Sequence, residues 1–294
     1  MNVYEIITQR ILEEIDKGTL PWNKPWKSVN GEEPTNLVSH KGYRGVNRFL
    51  LSHMAYERPF YVTYKQAAEL GGSVKKGEHG TPVIFWKKNV YTKTQADGTE
   101  SEENGFVLRY YTVFNVAQCE GLDKFLPALS PIAETPIAAI DTAENLVKGY
   151  HNRPTLSHIR QDLAYYQPST DSIVMPERNQ FHSAAEYYST LFHEFTHSTG
   201  HTSRLDRKTL TEATYFGSQN YSKEELVAEM GAAFLCGEAG IENEAALKNS
   251  ASYLDGWRKK LKADSKVVVQ AAAQAQKAAD YILGRTWSDG TTEK

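Results

Sequence analysis

Cysteine is almost absent from the sequence. Cys119 and Cys236 stand far apart, and neither belongs to a Cys-x-x-Cys pair. That excludes a disulfide framework and a thiolate metal site. No apolar run reaches the ~18 residues of a membrane-spanning helix. Residues Met1 to Arg10 mix Glu5, Thr8 and Gln9 among their apolar positions, unlike a secretory leader. A cytoplasmic chain without a membrane partner is the expectation. Charge of one sign is also missing: the net charge is −3 over 294 residues. Recognition of a polyanion would therefore have to come from a local patch, not from bulk charge. No internal repeat is visible, and 40% hydrophobic with 23% charged residues is ordinary for a folded chain.

What is present divides in two. At this length two cores are more natural than one. Pro127, Pro131 and Pro136 gather with small residues in the clearest linker. The expected division is residues 1–127, a linker at 128–140, and residues 141–294. Residues 1–127 hold 16 Lys+Arg against 15 Asp+Glu, and the remainder 17 against 21. The acidic stretch Asp97 to Glu103 reads as a loop, which leaves the rest of the first region basic.

In that first region Val3, Ile6, Ile7, Ile11, Leu12 and Ile15 have helical spacing, and Gly18 ends the pattern. A helix over Gly45 to Tyr56, a strand over Pro59 to Thr63 and a helix over Tyr64 to Leu70 follow. Strands are expected over Thr81 to Lys88, Gly105 to Tyr111 and Thr112 to Asn115, with a loop between Lys93 and Gly105. In the second region helices are expected over Thr142 to His151, Ser183 to Thr199, Ser222 to Glu238, Ala245 to Lys262 and Lys266 to Leu283. Two short strands fall at Leu163 to Tyr166 and Ser172 to Met175. Ser222 reads as an N-cap with Glu225 as its capping-box partner. The fold class is α+β: an N-terminal α+β nucleic-acid-binding domain joined to a mainly helical domain with a small sheet.

The chemistry centres on His193-Glu194-Phe195-Thr196-His197. Two histidines four apart share one helix face, where their imidazoles can take adjacent corners of a zinc tetrahedron. Glu194 falls beside the metal as the candidate catalytic general base. Apolar neighbours (Tyr187, Tyr188, Leu191, Phe192, Phe195) and the helix-ending Gly200 fit a buried active-site helix. Zinc, or another divalent metal such as manganese, needs a third protein ligand. The metzincin arrangement would require histidine at position 203, where Ser203 stands, and His201 lies beyond Gly200. Glu225-Leu226-Val227-Ala228-Glu229 offers two carboxylates on one helix face and resembles the Glu-x-x-Ala-Asp pattern of gluzincin-type metallopeptidases. By that resemblance Glu225 binds the metal and Glu229 supports a ligand histidine, and the reverse order stays open because Glu replaces Asp. Strand aromatics Tyr165 and Tyr166 precede the metal helix, where a zinc peptidase lays an edge strand above its cleft.

Toward the N-terminus Trp22, Trp26, Tyr43, Tyr61 and Tyr64 alternate with Lys24, Lys27, Lys41, Arg44, Arg48 and Lys65, and Lys75 and Lys76 add a second basic turn. Aromatic faces stack on unpaired bases while cations neutralise phosphates, so this mixture suits single-stranded DNA. The chain as a whole resembles the ArdC-type antirestriction proteins of conjugative plasmids. The marks are Gly18-Thr19-Leu20-Pro21-Trp22 with Pro25-Trp26, Tyr43-Arg44-Gly45-Val46-Asn47, Gly71-Gly72 with Lys76-Gly77-Glu78, and Tyr111 to Asn115 with Gln118. The His193 element, Arg204-Leu205 and Glu224 to Phe234 complete them. The resemblance implies a single-strand-binding N-terminal domain like that of TraC-type plasmid primases and a zincin-like C-terminal domain. It also implies a role in shielding incoming plasmid DNA from host restriction enzymes. The alternative is a dedicated zinc endopeptidase whose first domain only recruits a nucleic-acid-associated protein substrate.

Overall fold

Helix α1 (Val3–Asp16) buries Ile7, Ile11, Leu12 and Ile15, the stripe that the 3.6-residue period places on one side. It is the first element of a computed structural model that describes residues 2–16, 33–52, 56, 58–94, 100–127, 136–161, 163–211, 219–241 and 251–286. Strand β1 (Thr35–Asn36), helix α2 (Val46–Ser52), strand β2 (Phe60–Thr63) and helix α3 (Tyr64–Glu69) follow. Thr63 caps α3 in a reciprocal box with Gln66, whose side chain also takes a 3.0 Å hydrogen bond from Asn36 and so ties α3 to β1. Strand β3 (Ser73–Val74) pairs with β6 (Cys119–Glu120).

The long hairpin of β4 (Thr81–Thr94) and β5 (Glu100–Asn115) departs from expectation. The strands stay in register from Thr81 opposite Val113 to Thr94 opposite Glu100, so most of the expected 93–105 loop and the break at Thr112 are continuous strand. Val90, Tyr91, Thr92 and Thr94 are strand formers, and pairing satisfies the backbone of the acidic arm opposite. The sheet order is β1-β2-β5-β4, with β1 and β2 parallel and the rest antiparallel.

Helix α4 (Pro136–Gly149) begins inside the stretch read as linker, because proline is a natural first helical residue, its missing N–H being unpaired there anyway. Strands β7 (Thr155–Ile159), β8 (Tyr165–Gln167) and β9 (Ser172–Pro176) form a sheet in the order β7-β9-β8. Strand β7 was not legible in the sequence; it is an exposed edge with no alternation of apolar residues. Helices α5 (Ala184–Thr199), α6 (Lys208–Thr211), α7 (Gln219–Ala239), α8 (Ala251–Ala263) and α9 (Val267–Ile282) complete the chain. Because α7 begins at Gln219, Ser222 lies inside the helix and not at its N-cap. Among the described residues no helix is long and apolar enough to cross a membrane.

One core crosses the expected boundary. Ile7 and Ile11 of α1 and Phe49 of α2 join Phe192 and Phe195 of α5, Met230 and Phe234 of α7 and Ala272 of α9 in one buried cluster. Phe49 stacks on Phe234 with centroids 4.6 Å apart and planes 11° from parallel. Thr8 donates a 2.7 Å hydrogen bond to the carbonyl of Ser265. Two smaller clusters, around Val62 and Leu122 and around Tyr61 and Val113, belong to the N-terminal sheet alone.

Candidate metal centre

Ser183 caps α5 by accepting a 3.0 Å bond from the Glu186 amide. The helix then buries Tyr188, Leu191, Phe192 and Phe195 and turns His193 and His197 toward α7. Gly231 permits the close crossing of the two helices. A Cβ there would lie 2.4 Å from the Thr196 methyl carbon, so any larger residue would force the helices apart.

At that crossing three donors converge. The Nε2 atoms of His193 and His197 are 3.1 Å apart. Glu225 places Oε2 3.6 Å from His193 Nε2 and Oε1 3.5 Å from His197 Nε2. Ligands at about 2.0–2.1 Å from a shared tetrahedral centre lie roughly 3.3–3.4 Å from one another, so the observed spacings fit a divalent metal held by two imidazoles and one carboxylate. Among the described residues this is the cluster of histidine and carboxylate donors that could hold an ion. Glu229, a turn beyond Glu225 and half-buried, is outside that group. Glu194 is buried beside His197, on which its charge acts.

The group that orients His197 escaped the sequence reading. Glu224, 3% exposed, meets the Nδ1 of His197 at 3.2 Å. A carboxylate there keeps the proton on Nδ1 and turns the Nε2 lone pair toward the site. Burial opposes the ionised Glu224, but hydrogen bonds from His197 and Arg207 outweigh it and hold the carboxyl at about 2. Burial likewise opposes the imidazolium of His197, yet the Glu224 hydrogen bond and charge, then Glu194 and Glu225, raise it above its usual range. Arg207 is itself buried. Its Nε donates to Glu224 Oε2 at 3.0 Å, Nη1 to Thr199 Oγ1 at 2.6 Å and Nη2 to the Thr196 carbonyl at 2.8 Å. Thr209 also donates to Glu224. Adjacent positions on a helix point about 100° apart. The doublet Glu224-Glu225 can therefore send one acid to the metal and the other beneath a ligand, and that was the available signal.

His201 turns away and bonds Ser203 at 2.8 Å. Arg204 pairs with Asp171 and donates a 2.7 Å bond to the Ser198 carbonyl, joining the small sheet to the end of α5. Tyr166 donates to Asp171 at 2.8 Å, and Tyr165 is exposed.

The residues expected to face DNA are scattered. Trp22, Lys24, Trp26 and Lys27 lie outside the described residues. Lys41, Lys75 and Lys76 are exposed, and Lys75 Nζ donates to the Ala117 carbonyl at 2.8 Å. Three of the expected contacts are corrected by their surroundings. Tyr43, 7% exposed, packs edge-on against Tyr61. Arg44 pairs with Asp280 of α9. Arg48 is buried, pairs with Glu33, lies 3.8 Å from Glu238 and sits 5.1 Å from the Phe234 ring centroid. The lack of a side chain at Gly237 makes room for it, since a Cβ there would be 2.5 Å from Arg48 Nη2. These cations join the two halves of the molecule and leave little of themselves to a phosphate chain.

Comparison with known proteins matches two separate regions of the chain. Residues 1–114 match a family described as the N-terminal domain of anti-restriction factor ArdC, and residues 142–274 match the zincin-like metallopeptidases. Two Escherichia coli proteins named DNA primase TraC are 38% and 37% identical over 95% of this chain. This chain spans only 20% and 27% of their lengths. The protein y4eC of Sinorhizobium fredii is 33% identical, with 96% of this chain and 91% of that protein aligned. The antirestriction protein ArdC of plasmid R388 is 35% identical. Its metal-free crystal structure matches with a TM-score of 0.74 over 96% of this chain and 97% of that one. Its Mn(II)-bound form matches with 0.72 over 97% and 98%.

Proposed function

Since this chain belongs to the ArdC family of antirestriction proteins, we propose that it acts in the cytoplasm, binds single-stranded DNA and protects incoming plasmid DNA from host restriction during conjugation. In the same reading its C-terminal half carries a metal centre built by His193, His197 and Glu225, loaded with zinc or manganese. The observation that carries the metal reading is the convergence of those three donors at one helix crossing. The Mn(II)-bound form of the R388 protein supports a divalent ion.

A divalent metal held there supplies Lewis acidity for attack on a carbonyl. The chain's own residues supply the rest. Glu194 offers a buried carboxylate to accept and return a proton. Glu224 holds the Nδ1 proton of His197, and Arg207 keeps Glu224 ionised and in place.

A second reading, an endopeptidase that acts on a nucleic-acid-associated protein or a restriction enzyme, is favoured by Glu194 being buried beside the ligands. Metal content, single-strand against duplex binding over a salt series, and protection during plasmid transfer, each for wild type and Glu194→Gln, separate the two. Protection that survives the substitution while metal and DNA binding are unchanged supports shielding. Protection lost with DNA binding intact supports proteolysis. A wild-type protein that binds no single strand overturns the shielding reading.

A further inference from the structure

The β4–β5 hairpin carries an unusual surface. Trp86, Phe106 and Tyr110 are 50%, 59% and 48% exposed, on a protein whose other aromatics are mostly packed. Register puts them on one face of the ribbon. Trp86 is opposite Leu108, Lys88 opposite Phe106, and Ile84 opposite Tyr110, and cross-strand partners share a face. Phe106 and Tyr110 lie four residues apart on β5, about 14 Å along the strand. Leu108 and Ile84, between and beside them, are turned into the main core and fix the ribbon against the body. The opposite face exposes Phe85, Lys87 and Arg109.

Charge identifies what this surface fits. Residues 81–88 and 105–115 contain Lys87, Lys88 and Arg109 and no Asp or Glu. All three cations are exposed, and among the described residues none has an ion-pair partner. Lysine is depleted where proteins bury surface against one another, so two lysines among exposed rings argue against a protein partner. Exposed aromatics on a paired-strand platform, interleaved with cations, are what single-stranded nucleic acid requires: rings to stack on bases and charge for phosphates.

We propose that the proximal half of the β4–β5 hairpin binds single-stranded DNA, with Trp86, Phe106 and Tyr110 as the stacking rings and Lys88, on their face, at the phosphates, while Lys87 and Arg109 add positive potential from the opposite face. The proposal rests on the single-strand-binding reading above and moves its site away from Tyr43 and Arg48.

The test is fluorescence anisotropy with a labelled oligothymidine and with a duplex of the same length, over a salt series. The proteins are the full chain, W86A/F106A/Y110A and K87Q/K88Q/R109Q, each checked by thermal melting and light scattering. These side chains are exposed, so the folded state should survive. The aromatic variant should bind the single strand at least about 100-fold more weakly. The cation variant should bind more weakly and lose at least about 0.7 from the slope of log affinity against log salt, the share of one direct phosphate contact. Wild-type affinity within twofold in both variants would overturn the platform while leaving single-strand binding to be carried elsewhere. A wild type that binds no single strand removes both ideas. Loss of a dimer in the aromatic variant with DNA affinity unchanged would make the face a self-association surface, and preferential loss of duplex binding would assign it to double-stranded DNA; either result overturns the proposal.

Discussion

Replacing Glu224 by Gln keeps the shape of the side chain and removes its charge, which separates support of the metal centre from ligation by it. Glu224 accepts from three groups: His197 Nδ1 at 3.2 Å, Arg207 through Nε at 3.0 Å and Nη2, and Thr209. A glutamine can offer its carbonyl oxygen to one side of that set, but its NH2 faces donors on the other. Either His197 loses the partner that fixes its tautomer, or Arg207 is left as a buried guanidinium without a counter-charge. Supporting residues of this kind are worth about 10–100-fold in metal affinity, roughly 1.4–2.7 kcal/mol. Breaking one side of a buried ion pair costs about 3–5 kcal/mol of stability. The expected result is therefore a folded but less stable protein, read by urea denaturation, whose zinc affinity in a chelator competition is about 10–100-fold below wild type. Glu225→Gln, which replaces an anionic donor by a neutral amide oxygen, should cost more affinity and much less stability. Zinc binding by Glu224→Gln within twofold of wild type would refute the supporting role. A Glu225→Gln protein with unchanged affinity would return the third-ligand role to Glu229.

Gly231→Ala should cost about 1–3 kcal/mol by overpacking and weaken metal binding as α5 and α7 separate; Thr196→Ala in the same chain should restore part of both, and denaturant midpoints decide it. Phe49→Ala should cost about 3–5 kcal/mol, and because the core is shared, calorimetry should still show one transition; two separated transitions would contradict a common core. The Asp171 carboxyl is held below its ordinary value first by hydrogen bonds from Arg204, against burial and with help from Tyr166. A depressed folded value means stability that is present above the unfolded value near 4 and lost as pH falls through the folded one. The difference in urea midpoint between wild type and Asp171→Asn should thus be constant above about pH 5 and shrink below about pH 4; a difference that grew on acidification would show the sign to be wrong.

What the sequence disclosed were features set by short-range spacing. His193 and His197 share a face because a helix has 3.6 residues per turn, and the stripe of α1 is readable for the same reason. The candidate third ligand was legible only as a pair of acids, since a helix pattern cannot say which carboxylate is brought inward. Arg207 and Glu224, 17 residues apart, meet at a spacing that no periodicity encodes. Tyr43, Arg44 and Arg48 were read as open surface for a related reason. A cation in a basic stretch reads as surface charge, whereas the acid that neutralises Arg44 is 236 residues away at Asp280. The exposed rings of the hairpin were passed over because strand aromatics usually turn inward, and only the folded chain shows Trp86 and Phe106 exposed beside the Ile84 and Leu108 that touch the body.

The seat of α1 has a consequence for biosynthesis. Thr8 and its partner Ser265 are separated by 257 residues. At about 5–20 residues per second, roughly 13–50 s pass between the synthesis of the first helix and that of the surface it packs against. Throughout that interval Ile7, Ile11, Leu12 and Ile15 have no native partner on α8 or α9. Each nascent molecule thus presents a sticky amphipathic helix to chaperones and to its neighbours on the same messenger, and the yield of active protein should depend on how well the cell covers that helix.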